Sequence, residues 1–222
     1  MQEKRLLLFT GFIGLLAAVL TGTGEFLLHY DPLARYSETN YNYLLAGSTQ
    51  RETVGHFFGV FGAPLYIVGC WHIYLMLKHA NKALAFLGFI IGAYGFIIGA
   101  DWLSSRASIG ALMHFKVDTG DDIQSLVALY KLRYETLLTV VRITTLTLSV
   151  IFIGLVLTGR TYYRKWQALV NPIVLLVLSF VVYAIAPSIG KYIMPIALNV
   201  GFGLFFLISL IQANSIKISH QE

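Results

Sequence analysis

Charged residues are scarce in this sequence. Asp, Glu, Lys and Arg supply 12% of its 222 residues, whereas soluble domains carry about a quarter. Hydrophobic residues supply 57%, and a soluble fold of this length could not bury them all. The composition therefore excludes a water-soluble domain and predicts a protein that crosses a membrane several times.

Basic clusters and cysteine pairs are lacking as well. The net charge of +5 arises from short loops between apolar runs, and not from a Lys/Arg cluster on an aqueous domain. We therefore expect no nucleic acid among the partners. Cys70 is the single cysteine and lies within an apolar run, so an intramolecular disulfide is excluded.

Long apolar runs are what the sequence does contain. A run of about 20 apolar residues can cross a bilayer as a helix. We predict an all-α membrane bundle, a single transmembrane domain over residues 1–222. Its six transmembrane helices lie near residues 6–30, 53–78, 83–105 (with an extension to 117), 123–158, 168–186 and 192–212. Pro64 and Pro172 are predicted to kink the second and fifth helices.

The distribution of Lys and Arg between the loops predicts the orientation. Loops on one side are mostly basic, whereas loops on the other side mix Arg and Lys with Asp and Glu. Because basic loops stay on the cytoplasmic side, an even number of spans places both termini in the cytoplasm. The Tyr-rich loop at residues 31–50 then lies outside. We expect a multi-pass protein of the cytoplasmic membrane with membrane lipid as its partner, and the oligomeric state stays open.

Two Glu-x-x-x-His pairs on consecutive helices are the strongest chemical signal. Glu25 and His29 end the first predicted helix, and Glu52 and His56 begin the second. Residues four apart share one helix face. If these antiparallel helices turn both faces inward, we expect Glu25 to meet His56, and His29 to meet Glu52.

Three interpretations of these pairs remain open. In the first, the ionisable groups pair with one another and only hold the helices together. In the second, they bind zinc or iron, because imidazole and carboxylate are common ligands of both metals. In the third, they titrate without metal in a proton-linked transporter or a ligand-binding receptor.

The metal interpretation assigns a role to each residue. His29, Glu52, His56 and His114 are the candidate ligands, and Glu25 or Asp101 takes a proton from a metal-bound water. The function predicted from this set is metal-dependent hydrolysis, or a related reaction, of a lipid or lipid-soluble substrate in a pocket that opens outward.

Substrate binding is assigned to four further residues, Arg51, Tyr130, Glu135 and Arg142. Arg142 lies within the fourth predicted helix, where a lone cation costs at least about 2.5 kcal/mol. We therefore expect Glu135 or Asp101 as its partner. His72 lies 16 residues after His56, about 24 Å along a helix, so it cannot share a metal with His56. His72 is expected to be either a hydrogen-bonded packing residue or a residue at the level of the lipid headgroups.

Three segments resemble an uncharacterised family of bacterial six-helix membrane proteins. Residues 24–30 read Gly-Glu-Phe-Leu-Leu-His-Tyr, residues 48–51 read Ser-Thr-Gln-Arg, and residues 69–74 read Gly-Cys-Trp-His-Ile-Tyr. These residues are similar to that family's Gly-Asp-x-Leu-Leu-x-Tyr pattern on helix 1 and to its Gly-x-x-His-x-Tyr pattern at the end of helix 2. The resemblance implies the six-helix architecture, carries no activity, and singles out Glu25, Arg51 and His72.

A second similarity is to the seven-helix zinc hydrolases of the ceramidase and progestin-receptor type. Those proteins combine a Ser, an Asp and three His in one bundle, and this chain offers Ser104, Asp101, His29, His56 and His114. It lacks their His-x-x-x-His pair and one helix. The similarity implies zinc chemistry by analogy only.

Overall fold

The structure, a computed structural model, describes residues 2–36, 41–120 and 122–216. This part of the chain is helical and contains no β-strand. The Tyr-rich loop predicted at residues 31–50 is described except for residues 37–40. The all-helical prediction is confirmed for the described residues.

The first two predicted helices correspond to three observed ones. Helix α1 covers Gln2–His29, α2 covers Thr49–Gly62, and α3 covers Leu65–Leu77. The interruption between α2 and α3 falls at Pro64, where a kink was predicted, because proline lacks the N–H that would continue the helical bonding. Ser48 caps α2 by accepting a hydrogen bond from the Arg51 amide.

Two long helices follow. Helix α4 covers Lys82–Thr119 and α5 covers Gln124–Leu157. The extension predicted beyond residue 105 is continuous helix, and the whole of α4 is therefore about 57 Å long. Since the hydrocarbon core of a bilayer is about 30 Å thick, α4 is long enough to continue beyond it.

The last third of the chain differs most from the prediction. A 3-10 helix covers Lys165–Val170, and α6 covers Pro172–Ile185. Pro172 therefore starts α6 and does not kink it, because the amide of a first helical residue needs no partner. The short α7, Pro187–Ile193, and a 3-10 turn precede α8, Ala197–Asn214.

Within the described residues, five stretches are long and apolar enough to cross a membrane, counting α2 with α3 and α7 with α8. Helix α6 is apolar but has 14 residues, about 21 Å. The fold is thus an apolar helical bundle of the kind that membranes contain.

The two ends of the bundle have different neighbours. At one end, called the terminal end, Lys4 Nζ donates to the Asn214 carbonyl at 2.5 Å, and Lys78 pairs with Glu3 at 3.2 Å. At the other end, called the tyrosine end, His29 and the 3-10 helix Asn42–Ala46 lie beside the second half of α4.

Glycine contacts set how closely α1 approaches its neighbours. A Cβ at Gly55 would lie 2.8 Å from the Gly24 carbonyl, so α1 and α2 touch through their backbones. A Cβ at Gly69 would lie 3.0 Å from the Cα of Gly14 and 2.6 Å from the ring of Phe206, so α3 packs closely on α1 and on α8. Phe206 belongs to a buried aromatic core that also includes Tyr66 and Phe202.

Candidate functional site

Glu25 and His29 form a buried pair in the last turns of α1. Glu25 Oε1 lies 3.4 Å from His29 Nδ1, and Glu25 Oε2 accepts a hydrogen bond of 2.6 Å from Asn199 Nδ2 on α8. Both acidic and imidazole side chains are less than a tenth exposed. The predicted shared face of Glu25 and His29 is confirmed. Asn199 is a partner that the sequence did not identify, although it is a rare polar residue in an apolar helix.

The surroundings of His29 determine where its proton lies. Nδ1 faces two acceptors, the Glu25 carboxylate and the Pro195 carbonyl at 3.1 Å. Nδ1 therefore carries the hydrogen, and the lone pair of the neutral ring lies on Nε2. Nε2 is buried and has no hydrogen-bond partner among the described residues. It can accept a proton or a hydrogen bond from a bound molecule.

Arg106 is a buried cation beside this pair, and it is a residue that the sequence interpretation missed. Its guanidinium donates to the hydroxyl oxygens of Tyr43 and Tyr134, each at 2.5 Å, and packs near both rings. No carboxylate within the described residues forms an ion pair with it, and Nε has no partner. The only sequence signal was a charged residue five positions after Asp101 in a helix-compatible run.

Trp102 and Tyr43 complete this side of the site. Trp102 is one turn before Arg106 on α4, its indole Nε1 is buried without a partner, and its ring lies 5.7 Å from that of His29. Burial raises the pKa of Tyr43 above its ordinary value of 10, although the Arg106 charge opposes the shift. The Tyr43 hydroxyl therefore keeps its proton at neutral pH.

Two neighbouring cavities meet at these residues. The polar cavity, of about 410 Å³, is lined by His29, Tyr43, Arg106 and Tyr134 among others. The apolar cavity, of about 260 Å³, lies between α4, α5, α6 and α8 and is lined mainly by hydrophobic residues. Six residues line both cavities: Glu25, Trp102, Leu138, Arg142, Phe180 and Met194.

Glu52 belongs to a different pair. It lies on α2 and is 4% exposed, and its carboxylate faces His114 Nε2 on α4 at 3.7 Å. The fit is close, because a Cβ at Gly110 would lie 2.5 Å from Glu52 Oε1. Two predicted metal ligands, Glu52 and His114, are thus brought together, but away from the polar cavity's lining.

The predicted meeting of Glu25 with His56 is not seen as a contact. Glu25 is engaged by Asn199 and His29, while His56 Nδ1 is buried without a hydrogen-bond partner and its ring packs on Phe57. Over residues 2–36, 41–120 and 122–216, no three His, Cys, Asp or Glu residues are grouped so that they could hold a metal ion. The metal roles of His29, Glu52, His56 and His114 stay predictions.

Asp101 and Arg51 lie outside both cavities. Asp101 is exposed on α4. Arg51 donates from Nε to the Leu27 carbonyl at 2.7 Å and from Nη2 to the Tyr30 carbonyl at 2.5 Å. These carbonyls end α1, so Arg51 satisfies acceptors that the helix leaves unpaired. The substrate role predicted for Arg51 and the catalytic role predicted for Asp101 have no support in this placement.

The other predicted substrate residues are divided. Glu135 and Arg142 line the polar cavity, and Tyr41 donates a hydrogen bond of 3.4 Å to Glu135. Arg142 is exposed and forms no ion pair within the described chain, so the predicted carboxylate partner is not seen. Tyr130 lies outside both cavities and packs near Arg133.

His72 has the packing role that was expected. It is fully buried, its Nδ1 lies 3.2 Å from Thr10 Oγ1, and its Nε2 lies 2.6 Å from Ser209 Oγ. Ser209 also bonds the Tyr163 hydroxyl at 2.7 Å. This network links α1, α3 and α8 at the terminal end and leaves neither ring nitrogen of His72 free.

Comparison with known proteins places the chain in a family without supplying a function. No curated protein and no solved structure matches it. One family matches residues 1–215, nearly the whole chain. The uncharacterised character expected from the sequence resemblance is consistent with this match. The chain belongs to the family described as a family of unknown function, DUF6796.

Proposed function

We propose that this protein is an integral membrane protein that binds an amphipathic, lipid-soluble molecule in its two joined cavities. The observation that carries the proposal is that the polar and apolar cavities share six lining residues. Small-molecule sites are concave, mostly apolar, of roughly 300–1,000 Å³, and carry a few convergent polar groups. A molecule with one polar end and one apolar end matches this division.

The proposal includes an orientation. Six crossings, with α6 as the shortest, bring both termini to the cytoplasmic side of the cytoplasmic membrane, and the tyrosine end then faces outward. Two observations support it: the basic loops lie at the terminal end, and Lys4 contacts the carbonyl of Asn214 there. In a Cys70→Ala background, Asp122→Cys is expected to react with an impermeant thiol reagent from outside, and Arg160→Cys only after permeabilisation. The reverse pattern would overturn the orientation.

Binding can be observed at the junction of the cavities. The chain has three tryptophans, so the variant Trp71→Phe/Trp166→Phe leaves Trp102 as the sole fluorophore. We expect 6-bromododecanoate to quench Trp102 fluorescence saturably in neutral detergent, because bromine quenches tryptophan only at close range and carbon 6 stays near the junction.

A matched pair of glycine variants tests where the molecule binds. A Cβ at Gly99 would meet only Val141, at 3.9 Å, and Gly99 lines the apolar cavity. Gly99→Leu should fill that cavity and abolish saturable quenching. Gly154 on α5 has open space around it, so Gly154→Leu should quench as the parent does. Unchanged quenching in Gly99→Leu would refute the proposed site.

A second function, hydrolysis of the bound molecule, is favoured by the free Nε2 of His29. In that reaction Nε2 takes a proton from water, the water oxygen attacks an ester carbonyl, and the alcohol leaves with the proton. Glu25 orients the ring through Nδ1. Assistance by zinc or iron, and proton-linked transport, stay predictions from the sequence.

Hydrolysis and binding are separated by one variant. We expect the protein to cleave p-nitrophenyl dodecanoate, and His29→Gln to lose this activity while 6-bromododecanoate still quenches Trp102. If His29→Gln cleaves the ester as fast as the parent, the hydrolytic function is refuted and the binding function is untouched.

A further inference from the structure

Among the described residues, no carboxylate lies within ion-pair distance of Arg106, in a place where charge is expensive. The residue is 6% exposed and lies on an apolar helix, where an isolated cation costs several kcal/mol. Its contacts are two neutral phenol oxygens, which satisfy N–H groups but cannot neutralise the charge. Glu25 and Glu52 act on Arg106 electrostatically from beyond ion-pair distance, and Glu25 is already engaged by Asn199 and His29.

The groups around Arg106 are hydrogen-bond donors with unused capacity. Tyr43 and Tyr134 accept from Arg106 through their oxygens, so each hydroxyl hydrogen remains to be donated, and neither has an acceptor among the described residues. The indole Nε1 of Trp102 and the Nε of Arg106 are buried and unpartnered. All four side chains line the polar cavity.

We infer that the polar cavity binds the oxyanion of an amphiphile, a carboxylate or a phosphate, through Arg106, Tyr43, Tyr134 and Trp102. This inference rests on the proposed binding function and specifies the ligand's polar group. An oxyanion offers several lone pairs to converging donors, and charge-assisted hydrogen bonds in a water-poor site are strong. Trp102 lines both cavities, so an oxyanion beside it can carry its chain into the apolar cavity.

The lining as a whole also favours an anion. Three cationic side chains, Arg106, Lys131 and Arg142, face two carboxylates, Glu25 and Glu135. Glu135 accepts a hydrogen bond from Tyr41, as Glu25 does from Asn199. Among the described residues, the buried donors of this lining that remain without acceptors, Trp102 Nε1 and Arg106 Nε, are therefore on the Arg106 side of the cavity.

The test compares probes that differ only in the polar group. In the protein with Trp102 as sole tryptophan, quenching is titrated with 6-bromododecanoate, 6-bromododecyl phosphate and the neutral 6-bromododecanol, whose bromine stays near Trp102 when the polar group binds beside it. We expect at least one anionic probe to bind about tenfold tighter than the alcohol, or more, since bonds to a charged group contribute about 1.5–3 kcal/mol. The anion that binds more tightly identifies the class, and inorganic phosphate as a competitor shows whether the chain is required.

Variants assign the preference to Arg106. Arg106→Gln should bind the alcohol as before and lose the preference for the anion, and Arg106→Lys should keep part of it because the charge remains. The matched control is Arg133→Gln, since Arg133 is exposed on α5 and lines neither cavity. Tyr43→Phe, with Tyr130→Phe as its control, tests the hydroxyl donor where Arg106→Gln fails to fold.

Each outcome decides between the two proposals. Equal affinity for the anions and the alcohol, or a preference that survives in Arg106→Gln, overturns the oxyanion inference and leaves amphiphile binding intact. Failure of every probe to quench Trp102 saturably overturns the proposed function itself. Loss of the preference in Arg133→Gln to the same extent as in Arg106→Gln would also overturn the assignment to Arg106.

Discussion

The two ends of the bundle use the same types of polar residue in opposite ways. At the terminal end, Thr10, His72, Ser209 and Tyr163 form a network in which each side chain finds a partner. At the tyrosine end, Nε2 of His29, Nε1 of Trp102 and Nε of Arg106 are buried without a partner among the described residues. At the terminal end both ring nitrogens of His72 have hydrogen-bond partners. At the tyrosine end only Nδ1 of His29 has partners among the described residues.

The difference shows which half of the bundle contains buried polar groups that lower its stability. An unsatisfied buried polar group costs about 1–3 kcal/mol, and water that could compensate is scarce within a bilayer. Aromatic packing at the terminal end, with Phe206 fully buried against Gly14 and Gly69, stabilises the bundle. The tyrosine end, in contrast, contains the larger of the two cavities and most of the buried side-chain atoms without a partner among the described residues. Stability and binding are therefore placed in different halves of the molecule.

The largest effect is expected when phenylalanine is replaced by alanine at two positions, one in the aromatic core and one beside the apolar cavity. Phe206→Ala should lower the free energy of unfolding by about 3–5 kcal/mol, because the ring is fully buried and the glycines around it cannot fill the space. Phe180→Ala should cost about 1 kcal/mol or less, because Phe180 is 48% exposed and already faces a cavity. Unfolding in a denaturing detergent measures both, and equal losses would break the comparison.

An intermediate effect is expected from two threonines on α1. Thr10 contacts His72, so Thr10→Val should destabilise the protein by about 0.5–1.5 kcal/mol. Thr21 lines the apolar cavity and its buried hydroxyl has no partner. Thr21→Val, which has nearly the same shape, should therefore leave stability unchanged or raise it. The same unfolding assay measures both variants. A loss of stability in Thr21→Val as large as that in Thr10→Val would show that the Thr21 hydroxyl also makes a stabilising hydrogen bond.

The smallest effect is expected from Asp31, a satisfied carboxylate at the tyrosine end. Burial opposes its ionisation, but hydrogen bonds from Arg35 and from the Leu33 amide lower its pKa below the ordinary 3.8. Ionised Asp31 thus contributes stability that is complete above pH 3.8 and is lost as the pH falls through the lowered value.

Asp31→Asn removes that contribution. The difference in unfolding free energy between wild type and Asp31→Asn should be constant near neutral pH and shrink in acid. Asp101→Asn is the control, because Asp101 is exposed and has no hydrogen-bond partner in the described structure. A difference that grows in acid would reverse the assigned sign.

Much of the fold was predictable because each long apolar run can form only a helix in a membrane. The boundaries of α1, α4 and α5 agree with the prediction to within a few residues. The region of residues 165–196 was not predictable in detail, because short helices there depend on capping by Asn171 and on prolines that begin helices. Composition does not distinguish a proline that starts a helix from one that kinks it.

The site was predictable only where its residues share one helix. Glu25 and His29 were found together because a spacing of four residues fixes their common face. Glu52 and His56 have the same spacing, yet α2 buries Glu52 with Gly55 and Gly59, so Glu52 faces His114 on α4. This orientation of α2 about its own axis follows from the backbone contact between Gly24 and Gly55. Arg106, Trp102 and Asn199 depend on the packing of distant helices, which spacing cannot reveal.

The short helix α6 has a consequence for the surrounding bilayer. Its 14 residues span about 21 Å, and α7 does not lengthen it, because Gly190 packs against Tyr183 near its end. If α6 is one of the proposed crossings, it is shorter than a hydrocarbon core of about 30 Å, and thinning of the bilayer beside it is one way to accommodate the mismatch. Since Ile173, Leu176 and Phe180 on α6 line the apolar cavity, lipid chain length should influence access to that cavity. Short-chain bilayers would then relieve the mismatch at the side of the protein where its ligand is expected.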